Sequence, residues 1–223
     1  MKYSMVPKTL LSGLVILAGA QLASAQTITA NLAAPPGSVN TNIPGMKMRI
    51  MQGNSRSPLA SVATAEALLS GRQIDPSTGV PFVNEATPNP VDNSYIYNID
   101  RYVNYHEQIP SNPDAAGGNF FTGLTPAAPP HNIPDEAEPG IPGVNFSMDY
   151  FVMEFTGFLQ LPAGTVRFGV NSDDGFRLTI GSGVDPRIQA LQLIQNDGNR
   201  GFGNTEANIT VSAAKLYPFQ LLF

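Results

Sequence analysis

The run LQLPAGTVRFGVNSDDGFRLTI, residues Leu159 to Ile180, decides the fold class. Before the acidic pair, Val166, Phe168 and Val170 fall on one side of an extended chain, and Thr165, Arg167 and Gly169 fall on the other. After it, Phe176, Leu178 and Ile180 repeat the period of two, which is the mark of a strand with one buried face. Two strands separated by Asp173, Asp174 and Gly175 predict a hairpin, with Gly175 at positive φ and two carboxylates at the rim of a β-fold. Adjacent carboxylates are hard oxygen donors, so a binding site is expected there.

Working outward, Met46, Met48 and Ile50 alternate with Lys47 and Arg49 as a first strand. Ser57-Pro58 is a helix-start signal, and Leu59, Val62, Ala65, Leu68 and Leu69 follow at helical spacing until Gly71. Tyr95 to Tyr105 has the aromatic and β-branched content of a strand. Pro110 to Gly143 holds eight prolines and no hydrophobic period, so it reads as a long surface excursion. Asp149 to Leu161 is a strand apolar on both faces, as in the middle of a sandwich. Short strands are expected again at Ile188 to Ile194, Ala207 to Val211 and Leu216 to Phe223, with a Gly-rich loop at Asn196 to Gly203. The sum is an all-β antiparallel sandwich or barrel with one early helix. The last of these strands ends the sequence without a polar exit, which predicts a fragment whose terminal strand forms an exposed, aggregation-prone edge.

Composition limits what the domain does. Lys2 and Lys8 flank the apolar run Leu10 to Ala20, and Ala23-Ser24-Ala25 supplies small residues for cleavage, so residues 1–25 read as a signal peptide of a secreted or cell-surface protein. That run is shorter than a membrane span, so membrane insertion is not expected. Residues 26–44, with Pro35-Pro36-Gly37, read as a flexible lead-in, and residues 45–223 as the β domain. Past the signal, ten basic residues face seventeen acidic ones, a net charge of −7, which argues against nucleic acid and for a neutral glycan or a cation. With no cysteine, the hydrophobic core must hold the exported domain together, aided or not by a metal.

Several of these residues resemble the protective-antigen-type (PA-fourteen) domain, a β-barrel module of bacterial toxins, glycosidases, yeast adhesins and large exported proteins. They are Leu161-Pro162-Ala163-Gly164-Thr165 leading into Phe168-Gly169-Val170-Asn171-Ser172-Asp173-Asp174-Gly175-Phe176-Arg177-Leu178, and Ala214-Lys215-Leu216-Tyr217-Pro218-Phe219-Gln220-Leu221-Leu222. Upstream, Pro44-Gly45-Met46-Lys47-Met48-Arg49 and the helix to Gly71 are similar too. The resemblance implies that Asp173 and Asp174, joined by a cis peptide as in the sugar-binding yeast members, hold a calcium ion that in turn binds sugar hydroxyls. Further ligands in those members come from a loop beyond the strand that resembles Leu216 to Phe223.

The alternative for Asp173 and Asp174 is purely structural, because Asn, Asp and Gly in a turn bond their own backbone. Asn171 and Gly175 share the acidic turn, and Asp197 or Asn199 in the Gly-rich loop are candidates to complete the ligand site. His106 and His131 stand alone, no H-E-x-x-H or G-x-S-x-G run is present, and Asp135, Glu136 and Glu138 read as a solvated patch, so no enzyme is expected. Glu154 is expected on an exposed edge of the outer face. Tyr95, Tyr97, Tyr102 and Tyr105 read as core or cross-strand packing, or else as stacking faces for sugar rings. The leading expectation is a non-catalytic extracellular module that binds a glycan or cell-wall polysaccharide, with calcium a possible cofactor and further domains downstream. The alternatives are a structural or assembly spacer in a large surface protein, and an accessory domain of a glycosidase.

Overall fold

The structure, a computed structural model, describes residues 26–100, 103–105 and 136–223. The signal-peptide reading of residues 1–25, Tyr102, both histidines, Asp135 and most of the Pro-rich excursion lie outside these residues.

Nine strands and one α-helix are present among the described residues: β1 Thr27–Ile28, β2 Met46–Gln52, α1 Val62–Leu69, β3 Ile96–Ile99, β4 Phe151–Leu161, β5 Gly164–Ser172, β6 Phe176–Ile180, β7 Leu191–Asn196, β8 Gly203–Val211 and β9 Lys215–Leu222. They form a six-stranded sheet in the order β3-β2-β4-β9-β6-β7 and a three-stranded sheet in the order β1-β8-β5. All pairings are antiparallel except β1 with β8. The all-β sandwich expected from the alternation is the fold observed.

The core lies between the sheets. Met48, Ile50, Met153, Phe155, Tyr217 and Phe219 point inward from the larger sheet, and Ile209 and Val211 meet them from the smaller one. Val166, Phe168 and Val170 are half-buried against this core, on the face that the period of two assigns them. A second, smaller cluster forms on the outer face of the larger sheet, where Val62 and Leu68 of α1 cover Met51, Val152 and Leu222.

The helix begins four residues after its predicted start. Ser61, not Ser57, is the N-cap; its Oγ accepts from the Thr64 amide at 3.2 Å, and the Thr64 hydroxyl oxygen accepts from the Ser61 amide at 3.0 Å. Ser57 instead accepts from the Asn54 amide at 3.1 Å, closing a turn. The end at Gly71 is as predicted: its φ is +69°, its amide reaches Leu68 O at 2.9 Å and the Arg72 amide reaches Ala67 O at 2.8 Å.

Several expectations need correction. The strands flanking the acidic turn are not a hairpin: β5 pairs with β8 in one sheet, and β6 pairs with β7 and β9 in the other. Asp173 to Gly175 therefore form a corner where the chain crosses from sheet to sheet. The lead-in is not wholly loose, because Ile28 is fully buried and Thr27–Ile28 extend the smaller sheet. Of the strand predicted over Tyr95 to Tyr105, the described residues show Ile96–Ile99 as strand and Tyr105 in an isolated bridge to Glu136. Ile188 belongs to a short 3-10 turn, and the following strand starts at Leu191. The terminal strand is no exposed edge: β9 pairs with β4 on one side and β6 on the other. Within the acidic patch, Glu138 is buried.

Glu154 departs furthest from expectation. It sits on the outer face of β4 with 2% of its surface exposed, directly opposite Arg49 on β2. Arg49 Nε donates to it at 3.1 Å, Arg187 at 2.8 and 2.7 Å, and Gln220 Nε2 at 2.7 Å. The 3-10 turn Pro186–Ile188 carries Arg187 over the sheet and covers the carboxylate. Burial pushes the Glu154 carboxyl up, but the bonds from Arg187 and Gln220 and the charge of Arg49 outweigh it and hold it below the ordinary glutamate value.

Candidate functional site

The sheet-to-sheet corner stands at the mouth of a cleft of about 900 Å³. Asn171, Asp173, Asp174 and Gly175 line it on one side, Asn199 comes in from the loop between β7 and β8, and Tyr150 and Phe151 contribute an aromatic wall. Asp173 and Asp174 are exposed, while Ser172 before them and Phe176 after them are buried, so the corner is anchored at both ends and open at its tip. The peptide bond between the two aspartates is cis.

Gly175 is required for a reason other than the one predicted. Its φ is not positive; instead, a Cβ there would lie 2.8 Å from Gly198 O and 2.9 Å from Asn196 O. Only a residue without a side chain lets the β7–β8 loop approach this closely. That approach brings Asn199 into the cleft.

Burial and like charge together set the electrostatics of the tip. Burial and the neighbouring Asp174 raise the Asp173 carboxyl above its ordinary value, and the charge of Arg200 only partly opposes them. Asp174 Oδ1 accepts from the Arg200 backbone amide at 3.0 Å. Among the described ion pairs, none involves either aspartate. Two adjacent carboxylates that no described basic side chain pairs with offer oxygen donors to a cation.

The donor set is nonetheless partial. Among the described residues no cluster of three or more His, Cys, Asp or Glu side chains is placed to hold a metal. Calcium, which takes six to eight oxygens, would use both carboxylates, the amide oxygens of Asn171 and Asn199, and oxygens from solvent or ligand. Asn171 donates Nδ2 to Asn204 Oδ1 across the strand pair at 2.6 Å, which leaves its own Oδ1 out of that bond. The residues present fit calcium as part of a shell.

Asp197 is not brought to the site. Its Oδ1 accepts from the Val62 amide at 2.7 Å, at the first turn of α1, where an anion satisfies an otherwise unpaired N–H. Of the tyrosines, Tyr97 donates its hydroxyl to Thr87 O at 2.7 Å, while Tyr105 stacks on Phe155 at 6.3 Å between ring centroids and also borders the cleft. Sequence reasoning did not single out Tyr150, Phe202 or Arg200. Tyr150 has a φ of +62° and is 39% exposed on the cleft wall. Phe202 is 53% exposed on the same cleft. Arg200 did leave a signal: it is the one basic residue between Arg187 and Lys215.

No protein-family model and no curated protein matches the chain. Solved structures similar to it include the PA14 domain of the MpAFP antifreeze protein, at 17% identity over 80% of this chain and 73% of that one, with a TM-score of 0.44. Others are the PA14 sugar-binding domain from an RTX adhesin (14% identity, 81% and 82% covered, TM-score 0.44) and the Epithelial Adhesin 9 A domain from Candida glabrata in complex with Galb1-3GlcNAc (14% identity, 89% and 80% covered, TM-score 0.40). The fold assignment rests on the strand order and register given above.

Proposed function

We propose that this chain is a non-catalytic extracellular carbohydrate-binding module whose ligand site is the cleft at Asp173 and Asp174. The observation that carries the reading is the placement of two adjacent exposed carboxylates, engaged by no basic side chain in the described ion pairs, at the mouth of a cleft walled by amides and aromatic rings. Such a cleft suits a polyol: the amides of Asn171 and Asn199 hydrogen-bond hydroxyls, and the rings of Tyr150 and Phe202 offer flat apolar surface to C–H faces. Calcium held by Asp173 and Asp174 supplies, when bound, open coordination positions that hydroxyl oxygens of a sugar can fill. The resemblance of the Asn171 to Phe176 run to the PA-fourteen domain supports the same assignment, and the signal-peptide reading of residues 1–25 supports an extracellular or cell-surface setting for a glycan or cell-wall polysaccharide partner.

The test is calorimetric titration of calcium into the wild type and the Asp173→Ala, Asp174→Ala double variant, followed by a glycan array with calcium or with chelator. Binding of calcium that vanishes in the double variant, and array signals that need calcium, are expected. A wild type that takes no calcium and leaves the array blank would refute the reading.

A second reading, a structural spacer in a larger surface protein, is favoured by the bond from the Arg200 amide to Asp174, which ties the acidic corner to the β7–β8 loop with no ion needed. On that reading Asp173→Asn and Asp174→Asn change stability equally with and without calcium.

A further inference from the structure

We propose that Arg200 is the positioning residue of the Asp173–Asp174 site, clamping the β7–β8 loop to the end of β5 and so fixing where the two carboxylates face. The inference rests on the reading of the acidic pair as a binding site. Its own basis is the way one side chain engages both ends of the acidic corner.

Before the corner, Arg200 Nε donates to Ser172 O at 3.1 Å and Nη2 donates to Ser172 Oγ at 2.7 Å. Within the corner, the Arg200 backbone amide donates to Asp174 Oδ1 at 3.0 Å. After it, the guanidinium lies over the ring of Phe176, 5.4 Å from its centroid. The remaining bonds run to the start of β8, from Nη1 to Thr205 Oγ1 and from Nη2 to Gly203 O, both at 2.7 Å.

Every acceptor of the guanidinium is neutral, so no carboxylate consumes its hydrogen bonds. Its charge is left to act through space on the acidic pair while its planar fork fixes the geometry. Lysine keeps the charge but has no fork, and cannot bond the Ser172, Gly203 and Thr205 acceptors from one plane. Ser172 is buried, so losing the guanidinium leaves its hydroxyl and carbonyl short of a donor where water does not readily replace it. The corner tip itself is exposed and contributes little to either apolar cluster, so the loss loosens the corner and not the sandwich.

The experiment uses Arg200→Lys and Arg200→Gln in the full chain, with amide hydrogen exchange in metal-free protein and calcium titration in parallel. In both variants, amides of residues 172–176 and 198–203 are expected to exchange at least about tenfold faster, while those of β4 and β9 keep wild-type rates. Calcium affinity is expected to fall by about 10–100-fold, the usual cost of removing an outer partner that orients ligands. If Arg200→Gln does not fold, Thr205→Val removes one acceptor and should speed exchange in the same two segments; unchanged rates there would overturn the clamp. An Arg200→Lys protein that exchanges and binds like wild type would also overturn it, as would lost protection spread through β4 and β9. A wild type that takes no calcium, together with variants that show the expected exchange pattern, would remove the site reading and leave the clamp standing.

Discussion

Replacing Glu154 by glutamine keeps the shape of the side chain and removes its charge from the middle of a six-stranded sheet. The carboxylate accepts from Arg49, twice from Arg187, and from Gln220, and is only 2% exposed. Bonds to a buried charge are worth about 1.5–3 kcal/mol each. The two arginine side chains are 36% and 54% exposed, so both can turn to water when the charge is lost, and their share is discounted to about 1 kcal/mol apiece. The amide oxygen of glutamine still accepts from Gln220. Glu154→Gln should therefore cost about 2 kcal/mol, and Glu154→Ala about 3–4 kcal/mol because Gln220 also loses its partner. For a domain of this size, 2 kcal/mol lowers the melting temperature by about 4–8 °C. The folded-state pKa is depressed, so the contribution is fully present above the ordinary glutamate pKa of about 4.3 and disappears as pH falls through the folded value. Calorimetric melts at pH 7 and pH 3 test both points: the gap between wild type and Glu154→Gln should be wide at pH 7 and narrow at pH 3. A gap under about 1 °C at pH 7 would refute the reasoning. A gap of the same width at both pH values would show that the loss comes from altered hydrogen bonding and not from the charge.

Ile28→Ala should cost about 2–5 kcal/mol in chemical unfolding, because Ile28 is fully buried in the main core; a cost under about 0.5 kcal/mol would return residues 26–44 to the role of a loose lead-in. Gly175→Ala should lower the melting temperature by several degrees, about 1–3 kcal/mol, and weaken calcium uptake, since its Cβ meets two carbonyl oxygens of the β7–β8 loop at 2.8 and 2.9 Å; an unchanged melt would show that the loop moves away freely. Asp173→Asn should raise the melting temperature in chelator at pH 7. The Asp173 carboxyl is raised in the folded state, so the stability it contributes is present below the ordinary carboxylate pKa and is lost as pH rises through the folded value; the gain should vanish at pH 3. Added calcium should reverse the order of the two proteins, and a wild type that gains nothing from calcium would count against the metal site.

What the sequence disclosed follows from the range over which each feature is encoded. Which residues of β5 and β6 face the core is local, because alternation fixes the face of a strand wherever its partner lies. Which strands pair is not local: the alternation around Asp173 and Asp174 is the same for a hairpin and for a corner between sheets, and the choice is made by β8 and β9, whose registers come from residues about 30–45 positions away. Thr27–Ile28 is too short to show any period. Glu154 lies between Val152 and Thr156 on the outer face, so its charge reads as solvent contact; Arg187, 33 residues later, makes it an interior group. The candidate site divides in the same way. The acidic pair is legible because two vicinal carboxylates beside glycine are rare enough to notice, whereas Asp197 and Asn199, two residues apart in one loop, carry the same signal. The loop sends one to the N-terminus of α1 and the other into the cleft, and that separation exists only once Gly175 has let the loop pack against the corner. A lone arginine in a Gly- and Asn-rich stretch beside an acidic turn is therefore as strong a pointer as the carboxylates themselves, because a loop with few apolar anchors needs a multivalent donor to hold one shape.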